Sequence, residues 1–148
     1  MKTFGFVICW VTCNLILLPP AEAELQVGAA IVDITPQQLP VLVNGGMLSK
    51  SADTIMTHVN ARAIVIDDGS ERVGIVVVDS CMLPKFLLDE AKQLATAKTK
   101  LKSDRILISA THTHTAPSSF GCLGTDPDPL YVPFLRQRLV EALIQAEK

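Results

Sequence analysis

Three observations predict an α/β fold built on a mixed sheet. Two β-prone runs flank Asp67-Asp-Gly-Ser70, a turn composition that joins antiparallel strands into a hairpin. The unit from Val73 to Ser109 reads strand, helix, strand, which normally sets parallel neighbours through a right-handed crossover. An amphipathic stretch then closes the chain, supplying a second helix to pack on the sheet.

Each element has its own signal. Leu25 to Ile34 reads as a strand closed by Thr35-Pro36. Gln37 to Met56, broken by Pro40 and Asn44-Gly-Gly46, reads as a long irregular stretch, and loops of that length are more often functional than idle. His58 to Asp67 is β-branched and apolar, hence a strand. Val73 to Val78 is a solid apolar run, the pattern of a strand buried on both faces. Pro84 opens a helix on which Leu87, Ala91, Leu94 and Ala95 share one face. Arg105 to Ser109 returns to strand. Asp128-Pro129 caps a last helix whose apolar stripe is Leu135, Leu139, Ala142 and Leu143.

The chain has 148 residues and a net charge of −2, enough for one domain with a real core. With no basic block and 5% aromatic residues, it carries nothing that recruits nucleic acid. Residues 1–23 read as a signal peptide. Lys2 precedes an apolar run from Phe4 to Leu18, too short to span a membrane, and Ala21-Glu-Ala23 is a small-x-small cleavage site. The expectation is an exported chain, periplasmic or secreted, with a folded domain over residues 24–148. Cleavage would leave Cys81 and Cys122, which form no Cys-x-x-Cys zinc motif. Cys81, at the end of an apolar strand, reads as a buried thiol.

The most informative segment is Ile106-Leu-Ile-Ser-Ala-Thr-His-Thr-His-Thr-Ala-Pro117. In extended backbone, residues i and i+2 point to one side, so His112 and His114 would face one spot at the mouth of the strand. Imidazole suits zinc and its neighbours. Open α/β sheets bind ligands beyond the carboxyl ends of their strands, which is where these residues and Asp79 fall. Asp79 and Asp33 are candidates to ligate a metal or to orient an imidazole, although Asp33 also suits an Asx turn with Thr35. His58 opens a strand and fits a structural role better than that of a third ligand. Ser118 and Ser119 lack the Gly-x-Ser-x-Gly context of a nucleophile.

Several of these segments resemble the neutral/alkaline non-lysosomal ceramidase family. Val27-Gly-Ala-Ala-Ile-Val-Asp-Ile-Thr-Pro36 is similar to its opening strand, Ala61-Arg-Ala-Ile-Val-Ile66 to its second, and Val76-Val-Val-Asp-Ser80 to its third. Leu107 to Pro117 resembles its zinc-binding segment and is the specific part of the likeness. The resemblance implies a Zn2+-dependent amidohydrolase in which metal-activated water cleaves an N-acyl amide, with a lipid amide as substrate. It implies that His112 is a metal ligand and that His114 is catalytic, beside the metal, holding substrate or stabilising the oxyanion. The family's second zinc histidine, glutamate and tyrosine come from segments beyond those matched here. The expectation is therefore an incomplete portion of a larger domain, inactive alone, with an exposed sheet edge. Two other readings stand beside it: a non-catalytic exported module or fragment, and a metal-binding protein using His112, His114 and Asp79.

Overall fold

The computed structural model describes residues 24–148, and the signal peptide expected over 1–23 lies outside the described residues. The main sheet has four strands in the order β1 (Gln26–Asp33), β4 (Asn60–Asp67), β5 (Arg72–Val78) and β6 (Ile106–Ala110). The first three are antiparallel to their neighbours, and β5 and β6 run parallel. The crossover between β5 and β6 carries helix α1 (Lys85–Thr96), and α2 (Tyr131–Ala146) ends the chain. The mixed sheet, hairpin and parallel βαβ unit expected from the sequence are all present.

The hairpin between β4 and β5 closes where two carboxylates bind the backbone. Asp67 accepts from the Gly69 N–H at 2.9 Å, and Asp68 accepts from Ser70 and Glu71 at 2.9 and 2.7 Å. Those bonds, led by the Glu71 N–H, pull the exposed Asp68 carboxyl down to about 2. Gly69 takes the positive φ of 85° that the turn demands.

Both helices cover one face of the sheet. That face carries Val32, Ala63, Val65, Val76, Val78, Ile106 and Ile108, packed on Leu87, Ala91 and Ala95 of α1 and on Leu135, Leu139, Ala142 and Leu143 of α2. The sheet is small-sided where α2 crosses it. A Cβ at Gly28 would lie 1.9 Å from the Ala146 carbonyl oxygen, and one at Gly74 would lie 2.9 Å from the Leu143 side chain. The Asp128 carboxylate caps α2 by accepting from the Leu130 and Tyr131 N–H groups at 3.0 and 2.9 Å.

Three expectations need correction. β5 is not buried on both faces: Val76 and Val78 are buried, while Val73 and Val77 are 38% and 37% exposed. The described helices lie on one side of the sheet, so an all-apolar strand here alternates in burial. Leu94 is exposed on the flank of α1, because the helix seats through the i, i+4, i+8 row of Leu87, Ala91 and Ala95. The stretch from Gln37 to Met56 is not irregular throughout. It holds a small hairpin of β2 (Val41–Val43) and β3 (Lys50–Ala52), strands too short to show a period. Among the described residues β6 is an edge strand of the sheet, and its Leu107 is exposed.

Candidate metal centre at the strand ends

The site is built where β5 and β6 end side by side. The parallel ladder continues past them, with the Thr111 N–H donating to the Val78 carbonyl and the His112 N–H to the Ser80 carbonyl, both at 2.9 Å. The chain then turns sharply, because His112 has φ of +64°. This overturns the extended backbone assumed for the His-x-His segment. A non-glycine residue in the left-handed region is uncommon and marks a constrained position. The two rings nevertheless meet, with centroids 4.8 Å apart and planes at 80°. The turn at His112, rather than strand alternation, brings them together.

The His112 ring is held from behind. Its Nδ1 lies 2.8 Å from the Cys81 carbonyl oxygen, so that nitrogen carries the proton and donates, leaving the Nε2 lone pair free. A backbone carbonyl on the far nitrogen is a common means of orienting a metal-bound imidazole. The Cys81 thiol stands 3.9 Å from the same Nδ1. Cys81, His112 and His114 are the only cluster among the described residues with three metal-capable groups, their ligand atoms lying within 4.8 Å of one another. Burial pushes the Cys81 thiol up, and both Cys81 and Cys122 are free. The sequence placed Cys81 correctly as a buried thiol but gave no sign of its contact with His112.

His114 is seated by the Asn44-Gly45 turn. Gly45 has φ of +96°, and a Cβ there would fall 2.6 Å from both Cβ and Cγ of His114. Only glycine allows the two backbones this close. Asn44 is buried, its side-chain oxygen 2.6 Å from the Gly45 N–H and its amide group donating to Ser118 Oγ and the Phe120 carbonyl. Ser118 and Ser119 are buried too. Ser118 Oγ donates to the Asp126 carbonyl at 2.8 Å and Ser119 Oγ to the Met82 carbonyl at 2.6 Å. Both serines pin the loop that carries the histidines, and neither is an exposed nucleophile.

The two aspartates serve elsewhere. Asp79 takes the Asn60 N–H and the Arg62 guanidinium, each at 2.9 Å, and touches neither ring of the pair. Asp33 accepts from the Thr35 N–H at 2.7 Å, which is the Asx turn its sequence suggested, and binds His58 Nδ1 at 2.8 Å. Thr35, through hydroxyl and N–H, holds the Asp33 carboxyl below its usual range, with His58 adding a smaller pull. Beside the site lies a cleft of about 650 Å³, walled by β2, β3, the 54–59 segment, Thr113 and Thr115. The threonines of the motif face this cleft, and His112 and His114 do not line it.

Comparison with known proteins agrees with this architecture. Residues 25–123 match the profile of the neutral/alkaline non-lysosomal ceramidase N-terminal region. The chain belongs to that family. Neutral ceramidase A of Dictyostelium discoideum is 32% identical over 104 residues, covering 67% of this chain and 15% of that protein. The crystal structure of neutral ceramidase from Pseudomonas aeruginosa matches with a TM-score of 0.72 at 20% identity, over 82% of this chain and 21% of that one. A ceramidase complexed with C2 matches with a TM-score of 0.62 at 19% identity, over 82% and 20%. At these identities the two solved structures share the fold. The chain spans about a seventh of the length of the curated ceramidase and about a fifth of each solved one.

Proposed function

We propose that this chain forms one wall of a zinc-dependent amidohydrolase site acting on a lipid amide. The observation that carries the reading is the free Nε2 of His112, fixed in orientation by the Cys81 carbonyl and adjacent to a second imidazole at the ends of two parallel strands. Family membership supports the reaction class.

The donor set fits a zinc ion in part. A catalytic zinc takes three protein ligands and keeps one position open for water. His112 would hold the ion through Nε2, and the remaining ligands would come from outside the described residues. Cys81 sits on the anchored side of the ring, near Nδ1, so its part is to position His112. When bound, zinc supplies a water acidic enough to attack at neutral pH and polarises the carbonyl. His114, locked by Gly45 beside His112, is assigned to the carbonyl oxygen, where it would donate to the charge that develops there. On this reading hydrolysis requires ligands in addition to His112, and the described residues alone are expected not to catalyse it. The apolar leader over residues 1–23 supports export of the protein.

Zinc analysis of the purified chain tests the assignment. Zinc should bind the chain only weakly, and that weak binding should be lost in His112→Ala and persist in His114→Ala and Cys81→Ala. Zinc retained by His112→Ala would overturn it, as would hydrolysis of an N-acyl amide by the chain alone for the incompleteness of the site.

A further inference from the structure

Both helices pack on one face of the main sheet, and the opposite face is left apolar and open among the described residues. Strand register aligns the side chains of that open face in three rows. Val27, Ile66 and Val73 form the first row. The middle row runs through all four strands as Ala29, Ile64, Ile75 and Leu107. The third is Ile31, Arg62, Val77 and Ser109, and Arg62 is the one charged residue of the three rows. Its guanidinium lies 2.9 Å from the Asp79 carboxylate, so the face is neutral. Val27, Ile31 and Leu107 are 61%, 68% and 56% exposed, whereas Val32, Ile106 and Ile108, on the helix side of the same sheet, are buried. A continuous apolar patch of this kind marks an interaction surface.

We propose that this face pairs with the same face of a second copy of the chain, sheet on sheet. Stacked sheets lie about 10 Å apart with strand directions within about 30°, and their side chains interdigitate. Four strands at about 4.8 Å and six residues at about 3.3 Å give each copy a face of roughly 400 Å² in projection, and more in accessible surface. A pair of such faces buries about 1,000 Å², the lower bound of a specific interface, which fits a reversible dimer rather than a permanent one. Neutrality selects the partner. A charged surface would lose its hydration here and meet no counter-charge, whereas the face itself brings branched apolar side chains and an Arg62 that is already paired. Any two-fold axis through the patch sets apolar rows against apolar rows. A net charge of −2 per chain adds little repulsion between copies. The pairing needs no metal and does not rest on the amidohydrolase reading.

Sedimentation equilibrium of the full chain over a concentration series, in chelator-containing buffer, tests it. The chain should pass reversibly from monomer to dimer. Ile64→Glu, in the middle row on an inner strand, should raise the dissociation constant about 100-fold or more, because the dimer would bury an unpaired carboxylate. Leu107→Glu, on an edge strand, should raise it about tenfold or more and is the second probe should Ile64→Glu fail to fold. Phe86→Glu, as exposed as Leu107 but on α1 at the other side of the sheet, should leave it unchanged. A self-complementary contact has its own signature. Chains carrying Ile64→Glu and Ile64→Lys, each repelled by its own kind, should associate on mixing about tenfold more tightly than either does alone. His112→Ala should leave the dimer intact. A chain that stays monomeric to about 1 mM would overturn the proposal and leave the face to a different polypeptide. Association that survives both Ile64→Glu and Leu107→Glu would also overturn it, placing the contact at a strand edge or elsewhere in the chain.

Discussion

His112 and His58 are anchored by the same device and stand in different company. Each ring gives Nδ1 to an oxygen at 2.8 Å, His112 to the Cys81 carbonyl and His58 to the Asp33 carboxylate. Each is thereby left with a free Nε2. His112 has a second imidazole and a thiol within 4.8 Å, whereas the His58 side chain is 70% exposed and no such cluster surrounds it among the described residues. Further metal-capable groups gather beside His112, brought there by a left-handed turn at His112 and by Gly45 pressing on His114.

Removing each imidazole breaks the comparison most directly. His112→Ala should cost zinc affinity more than the about 10–100-fold lost when only an orienting partner is removed. His58→Ala should leave it unchanged, and a competition titration against a zinc chelator reads both. Gly45→Ala should come next. The new Cβ meets His114 at 2.6 Å on a backbone with φ of +96°, so stability should fall by about 1–3 kcal/mol in chemical denaturation. The His114 ring resonances should shift while those of His58 stay put.

The carboxylates give a smaller, pH-dependent effect. The folded-state values of Asp33 and Asp68 are depressed, Asp68 from 3.8 to about 2. A depressed carboxyl stabilises the fold above its unfolded pKa, and that contribution is lost as pH falls through the folded value. The thermal midpoint should therefore drop as pH falls from about 3.8 toward about 2, and Asp68→Asn should flatten that descent. The smallest effect is expected of Cys81→Ala. It keeps the carbonyl that holds His112, so zinc affinity should change less than tenfold. A loss as large as that of His112→Ala would make the thiol a ligand and redraw the site.

The sequence made the strands and helices legible where their periods were long enough. Asp67-Asp-Gly-Ser70 fixed the hairpin, and Leu135, Leu139, Ala142 and Leu143 fixed the buried stripe of α2. It misjudged Val73–Val78 because composition reports how apolar a strand is, not whether a layer covers its second face. At the site, the strand-end histidines were legible from their position, and their conformation was not. Nothing local in Thr-His-Thr-His signals a positive φ at His112. The Asn44-Gly-Gly46 breaker was visible, but that Gly45 exists to admit His114 is a tertiary fact linking distant segments. Asp79 sat at the right strand end and still went to Arg62, since an adjacent guanidinium competes for a carboxylate more strongly than a neutral imidazole does.

The central claim is that His112 presents Nε2 to a metal because the Cys81 carbonyl occupies Nδ1. Long-range nitrogen–proton NMR of the imidazole rings during zinc titration tests it at the atom concerned. The account expects His112 to start as the Nδ1–H tautomer and its Nε2 resonance to move on zinc addition, with His58 unmoved. A response at His112 Nδ1, or at His58 with His112 silent, would contradict it.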